Sequence, residues 1–321
     1  MRIVVTGANG FVGRATCANL LDAGHDVTAL VRRAGTDSGT AESRAHERVV
    51  ADDNFASLAT ATPLDPADAF VLLAARVHVM RDNAADPLAE YRQVNVEGSL
   101  NVARAALRAG AARLVFVSSI KALGEGEPGR PWREDDQPAP ADPYGVTKLE
   151  AERALAAFGQ EHGMEVVILR PPLVYGPGVK ANFEQMMRAV DRGVPLPLGG
   201  IEARRSMVYV GNLADAIRFV ATRPEPTTGV FHVTDGDDLS VADMIRGLAR
   251  ALGKPARLLP VPASWLRAAG ALTGRSAQID RLTNPLRMDS TRLREGLGWT
   301  PPTSVTQGLA NTVRAFNEAR R

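Results

Sequence analysis

Short runs of Val, Ile, Leu and Phe alternate with longer stretches of helical apolar spacing through the first half of the chain. The apolar runs at 3–5, 27–31, 49–50, 70–73, 114–117 and 166–169 predict buried strands; the periodic stretches 12–23, 88–109 and 144–162 predict helices. Repeated strand–helix–strand units predict an α/β fold, a doubly wound parallel sheet with helices on both faces. The small, polar stretch 35–47 predicts a loop. Beyond Arg170 the texture changes: Pro171, Pro172, Pro177, Pro195 and Pro197 break the chain, with Gly176, Gly178, Gly193, Gly199 and Gly200 among them. The runs 207–210 and 230–233 predict strands that return to the sheet, and 239–252 predicts a further helix. The expected division is a large domain over 1–172, rejoined by 207–234, and a smaller C-terminal lobe over 173–206 and 235–321.

The 321 residues are 45% hydrophobic and 23% charged, which suits a packed core. The 38 basic and 36 acidic residues nearly cancel, to +2, so no whole-protein field draws the chain to nucleic acid or membrane. No apolar run reaches the roughly 18 residues that span a bilayer, and the first strand starts at Ile3 with no leader-type pattern before it. The single cysteine, Cys17, excludes an intramolecular disulfide and falls at an apolar helix position suited to packing. The expectation is a cytoplasmic chain with no nucleic-acid partner, no membrane partner and no metal.

The first strand runs into Gly7, Asn9, Gly10, Phe11, Val12 and Gly13, and then into helix. A tight turn and close backbone approach to a pyrophosphate both need residues without a Cβ. The helix start then offers free N–H groups and partial positive charge to the phosphates. This context predicts a dinucleotide-binding turn. The spacing Gly-x-x-Gly-x-x-Gly resembles that of the short-chain dehydrogenase/reductase superfamily. The second strand ends in Arg32 and Arg33, whose guanidiniums suit a 2′-phosphate and offer no acceptor to a 2′-hydroxyl. NADP(H) is therefore favoured, with NAD(H) as the alternative. In this superfamily an acid after the third strand commonly lies near the adenine; Asp52 and Asp53 are equal candidates.

The strand at 114–117 ends in Ser118-Ser119, and Tyr144 and Lys148 follow, four apart on one helical face behind the helix-starting Asp142-Pro143. A phenol titrates near 10, too high for easy proton transfer at neutral pH. A neighbouring ammonium and an oxidised nicotinamide both favour the phenolate. Tyr144 can then exchange a proton with a hydroxyl or ketone as hydride moves, while Ser119 hydrogen-bonds the same oxygen. Ser119, Tyr144 and Lys148 are the catalytic candidates.

With these residues the chain resembles, nearly end to end, the extended short-chain dehydrogenases known as NAD-dependent epimerase/dehydratases. The resemblance includes Leu73-Ala74-Ala75, Asn95-Val96-Glu97-Gly98, Leu169-Arg170-Pro171, Tyr175-Gly176-Pro177-Gly178, Val208-Tyr209-Val210 and Leu297-Gly298-Trp299. It implies a Rossmann fold, a homodimer and a nucleotide-sugar substrate, UDP-linked above others. It places Leu73, Ala74, Ala75 and Asn95 along the cofactor, and Val117, Pro171 and Leu173 beside them with Tyr144 and Lys148. Many relatives have Asn where this chain has Leu173. Arg205 matches the family arginine that meets the diphosphate; Arg281, Asn182, Lys121, His78 and Arg76 are further substrate-side candidates.

Family dehydratases carry an Asp-Glu pair where this chain has Ile120-Lys121, so the resemblance implies oxidation or reduction at C4 without dehydration. The arginine pair, and similarity to reductases of UDP-4-keto-6-deoxy-HexNAc sugars in surface-polysaccharide synthesis, favour a 4-ketoreductase over a UDP-hexose or UDP-HexNAc 4-epimerase. A non-catalytic NADP-binding sensor is a third reading, set against the intact Tyr144 and Lys148.

Overall fold

The computed structural model describes residues 1–33, 45–59, 64–77, 86–180 and 182–320, with the side chains of residues 182, 277 and 278 left aside. The chain runs β1 (Arg2–Thr6), α1 (Phe11–Asp22), β2 (Asp26–Val31), β3 (His46–Val49), β4 (Ala69–Leu72), α2 (Pro87–Arg92), α3 (Gly98–Arg108), β5 (Arg113–Val117), α4 (Pro143–His162) and β6 (Glu165–Arg170). It continues with β7 (Leu173–Tyr175), α5 (Asn182–Asp191), β8 (Arg204–Arg205), β9 (Met207–Tyr209), α6 (Val210–Thr222), β10 (Gly229–His232), β11 (Leu239–Ser240), α7 (Val241–Leu252), α8 (Ala263–Leu272), α9 (Ser276–Thr283) and α10 (Val305–Glu318).

Seven strands form one parallel sheet in the order β10-β6-β5-β4-β1-β2-β3. This is the Rossmann-type, doubly wound α/β arrangement expected from the alternating pattern. Side chains alternate across it, as a two-residue period requires. Ile3, Val5, Val71, Val115, Val117, Val167 and Leu169 face a core shared with α1 and α6. Val4, Phe70, Leu72, Leu114, Phe116, Val166 and Ile168 face the core under α3 and α4. Every residue of β4 and β5 is buried, which is why these strands, apart from Arg113 at the start of β5, read as unbroken apolar runs.

Four sequence expectations are corrected. The strand expected at 49–50 is β3, beginning three residues earlier within the expected loop, and it is largely exposed. It is the sheet edge, where His46, Glu47 and Arg48 put polar side chains on both faces and hide the apolar signature. The helix expected over 88–109 is interrupted by a π-helical turn, Gln93–Glu97, between α2 and α3. The run 207–210 does not return to the main sheet: β9 pairs with β7 in a separate two-stranded sheet, and Val210 opens α6. The helix expected from 239 starts at Val241, because Leu239–Ser240 forms β11 against β8 and the Ser240 side chain caps the helix by accepting from the Asp243 N–H. The run at 230–233 does join the sheet, as β10 beside β6.

At the lower end of the sheet the buried Arg113 binds the Glu165 carboxylate at 2.7 Å and the carbonyls of Val220, Arg223 and Glu225 at 2.7–3.0 Å. A further core of Tyr175, Phe183, Met187, Ile245, Leu248, Leu309 and Phe316 joins α5, α7 and α10. Asp235 ties this core to β9 and α6. It accepts from the Tyr209 N–H, the Asn212 side chain and the Tyr175 hydroxyl at 2.7–3.0 Å.

Candidate active site

The turn from β1 to α1 uses each of its glycines for a separate steric reason. Gly7 has φ +64°, and a Cβ there would meet the Ala74 backbone at 2.8 Å. A Cβ on Gly13 would collide with the Gly7 carbonyl oxygen. Gly10 N–H closes the turn on that same oxygen at 2.9 Å and leads into the first turn of α1. Thr6 Oγ1 accepts the N–H groups of Leu73 and Ala74 at 3.1 and 3.2 Å, drawing the end of β4 alongside.

The turn opens onto a cleft of about 660 Å³. Gly7, Asn9, Gly10, Phe11, Val12 and Gly13 line it together with Leu73, Ala74 and Ala75, so the structure brings these sequence candidates to one place. A cradle that any Cβ would fill, beside a helix start with free N–H groups, fits a dinucleotide. Arg32 and Asp53 also line the cleft and pair at 2.8 Å, both well exposed. Arg33 and Asp52 do not line it. Asp52 instead accepts from the Ser57 N–H at 3.0 Å and from the Ser57 hydroxyl. Burial opposes its ionisation, but those bonds prevail and hold the carboxyl below its ordinary value. The two aspartates that looked equal in sequence thus differ: one caps a local turn and the other faces the cleft. Leu30, Phe55 and Val94 line the cleft too and were missed. Leu30 and Val94 carry no signal beyond their apolar character, while Phe55 follows the acidic pair with φ +56°, a conformation that sequence does not announce.

β5 ends in Ser118-Ser119, and Ser119 Oγ caps a short 3₁₀ turn by accepting the Lys121 N–H at 3.2 Å. Asp142 caps α4 by accepting the Gly145 N–H at 2.7 Å, with Pro143 in the first turn. Gly145 lets α4 lie directly on that turn, since a Cβ would collide with the Lys121 carbonyl. This contact joins the Tyr144 hydroxyl to Ser119 by a hydrogen bond. Lys148, one turn along, is 2% exposed. It donates to the Val117 carbonyl at 2.8 Å, with its Nζ 4.3 Å from the Phe116 ring centre and 6.0 Å from that of Tyr144. Burial pushes the Tyr144 phenol up to about 12, against the hydrogen bond to Ser119, and pushes the Lys148 ammonium down to about 7, against the field of Glu152. The three catalytic candidates therefore meet at the ends of β5 and the start of α4.

Two buried groups hold this arrangement. Asn95, in the π-helical turn, accepts from the Arg76 N–H at 2.8 Å and donates to the Arg76 carbonyl at 3.2 Å and to Thr147 Oγ1 at 3.0 Å. It thereby fastens the exit of β4 to the helix between Tyr144 and Lys148, and its side chain does not line the cleft. Beneath the serine pair, Glu152 accepts from Ser118 Oγ at 2.5 Å and from both sides of the Arg170 guanidinium at 2.9 and 2.5 Å. Sequence reasoning missed this pair; its only signal was Glu152 four residues after Lys148, on the same helix face.

Of the substrate-side candidates, Lys121, Arg205 and Arg281 gather around Glu125, whereas Arg76 lines the dinucleotide cleft. Lys121 pairs with Glu125 and lies 3.3 Å from Asp142, and Arg281 lies 4.0 Å from Glu125. Arg205 donates to the carbonyls of Arg281 and Asn284 at 2.7 and 2.9 Å. Burial lowers its pKa, with Glu125 opposing and Arg281 adding to the effect. Pro171 accepts the Ile120 N–H at 3.0 Å, which ties the end of β6 to the turn after Ser119. Leu173 is 50% exposed on β7. His78 lies outside the described residues, as does the side chain of Asn182.

The model of the NAD dependent epimerase/dehydratase family matches residues 3–233. A UDP-glucose 4-epimerase of Vibrio cholerae is 44% identical over 99% of this chain and 96% of its own. A UDP-glucose 4-epimerase of Mycolicibacterium smegmatis is 31% identical over 98% of each. Among solved structures, MoeE5 in complex with UDP-glucose and NAD superposes with a TM-score of 0.76 at 25% identity, covering 100% of both chains. A match over most of the chain and a near full-length relative coincide with the cradle, the sheet and the converging Ser119, Tyr144 and Lys148: the chain belongs to the NAD-dependent epimerase/dehydratase family, in its extended short-chain dehydrogenase form.

Proposed function

We propose that this chain is a UDP-sugar 4-epimerase that oxidises C4 of a UDP-linked hexose or N-acetylhexosamine and reduces it again on the other face. The observation that carries the reading is the meeting of Tyr144 with Ser119 and Lys148, with no acid–base pair in the next two positions. Ile120 is buried against Leu123, Trp132, Leu286 and Met288, and Lys121 is held by Glu125 and Asp142. Neither side chain supplies the proton chemistry of dehydration. The names of the Vibrio cholerae and Mycolicibacterium smegmatis relatives support the epimerase.

In this reading Tyr144 takes the C4 hydroxyl proton and later returns it to the same oxygen, Ser119 donates to that oxygen as charge develops, and Lys148 favours the phenolate. The dinucleotide supplies the hydride acceptor and, on the return, the hydride donor. Arg205 and Arg281 would face the diphosphate. The pairing of Arg32 with Asp53 supports NAD(H): the guanidinium at the cleft is already engaged by a carboxylate, which a 2′-phosphate would have to displace.

A second reading rests on the same arginines. Arg32, released from Asp53, would serve NADPH in a net 4-ketoreductase, the reading that the Arg32-Arg33 pair favours in sequence, although Arg33 does not line the cleft. Denaturing the purified protein and identifying the released nucleotide separates the two. Retained NAD, with interconversion of UDP-glucose and UDP-galactose without added cofactor, is expected. An empty site that consumes NADPH with a UDP-4-keto sugar would replace the epimerase by the reductase. Tyr144→Phe abolishes turnover with cofactor affinity nearly unchanged; wild-type rates in that variant would remove Tyr144 from the chemistry.

A further inference from the structure

The near-zero net charge conceals an uneven distribution. Residues 244–279 contain no Asp or Glu and six basic residues: Arg246, Arg250, Lys254, Arg257, Arg267 and Arg275. Of these, Arg246 is committed to Asp243. Among the described residues, no ion pair involves Lys254, Arg257, Arg267 or Arg275.

The same segment carries an inverted helix. α8 turns Leu266 inward to the core of α5, α7 and α10 and packs Gly270 against Ile279 of α9. Its opposite stripe, Trp265, Ala268, Ala269 and Leu272, is spaced three, four and seven residues apart and is exposed throughout. Trp265 is 72% exposed and Leu272 90%, the two highest values among the large apolar side chains of the described residues. The strand-like stretch leading to α8 extends this surface: Leu259 and Leu196 share backbone hydrogen bonds with their neighbours, and Leu259 and Val194 are 49% and 43% exposed.

We propose that this face docks the protein on an anionic lipid bilayer, with Trp265 and Leu272 entering the interfacial layer and Lys254, Arg257 and Arg275 meeting the headgroups, while Arg267, on the other side of α8, is bonded to Thr283 and Asn284. An exposed apolar stripe with a basic flank is the pattern that lies flat on such a surface. A tryptophan suits the boundary between polar and apolar layers. A two-fold pairing of two copies through this face would set like charges against one another, which disfavours a second copy as the occupant. The face adjoins the substrate side, since α8 packs on α9, which carries Arg281.

Trp132 and Trp299 are buried, so of three tryptophans Trp265 is the exposed one and reports on the face by its emission. The full-length protein is mixed with vesicles of phosphatidylglycerol and phosphatidylcholine, or of phosphatidylcholine alone, and assayed by co-sedimentation and tryptophan fluorescence. Binding to the anionic vesicles with a blue shift is expected, lost in about 0.5 M salt as screening shortens the reach of the charges. Trp265→Ser with Leu272→Ser lowers partitioning by at least about tenfold, and Arg257→Gln with Arg275→Gln by roughly 25-fold, about fivefold for each cation. Because all four side chains are exposed, the variants keep the wild-type melting temperature. Equal binding to neutral vesicles, no binding to either, or partitioning untouched by both double variants would overturn the proposal. So would a wild-type dimer that the serine pair splits, or capture by polyglutamate in preference to the anionic vesicles.

Discussion

Replacing Lys148 by Met should stabilise the fold while ending catalysis. The ammonium is 2% exposed, against the Phe116 ring, and burial moves its titration from the ordinary 10.5 to about 7. A folded value below the unfolded one means that the unfolded chain binds the proton more tightly. The lysine therefore costs the native state stability, fully below pH 7, decreasingly as the pH rises towards 10.5, and not at all above it. At about 1.4 kcal/mol per unit the full cost is about 5 kcal/mol. Met fills a similar volume and removes that cost, but leaves the Val117 carbonyl, now 2.8 Å from Nζ, without its donor, at about 1–3 kcal/mol. The net gain is then about 2–4 kcal/mol at pH 6–7. Urea unfolding of both proteins at pH 6, 7, 8 and 9, without cofactor, should show a gap that narrows with pH. A destabilised variant at pH 7, or a gap independent of pH, would refute the assignment of a buried, strained charge.

Three further outcomes are expected. Glu152→Gln leaves the Arg170 guanidinium buried without its counter-charge and costs about 3–5 kcal/mol in urea unfolding, most of which the double change Glu152→Leu with Arg170→Met restores. Gly13→Ala drives a methyl into the Gly7 carbonyl, so NAD no longer raises the melting temperature, whereas an unaltered rise would show that the turn does not hold the cofactor. Arg205→Ala abolishes most of the thermal protection given by UDP, while NAD protection persists.

Most of the large sheet is legible in sequence because its central strands are buried on both faces and are apolar except at their ends, as at Arg113. β3 is obscure for the converse reason: at an edge open to water on both faces, His46, Glu47 and Arg48 are what a strand can carry. The turn at Gln93–Glu97 is invisible to apolar periodicity, since one extra residue per turn shifts the phase without changing composition. At the site, Ser119, Tyr144 and Lys148 could be placed because strand end and helix start fix where they point. Asp53 could not be told from Asp52, because the choice depends on a serine five residues on that engages only one of them. Nor could α8 be foreseen as inverted, because the spacing of its apolar residues shows that it has a stripe and not which way the stripe faces.

The pairing of β10 with β6, locked below by Arg113, dictates the order in which a growing polypeptide can finish its sheet. When Arg170 leaves the ribosome, six of the seven strands are already made, yet β6 is still an open edge and Arg113 lacks the carbonyls of Val220, Arg223 and Glu225. Everything from Pro171 to Thr228 must be synthesised before that edge is covered. Nascent chains halted short of Gly229 should therefore present the long apolar edge of β6 and be more prone to sticking edge to edge than chains extended beyond His232, whose edge is the short β10.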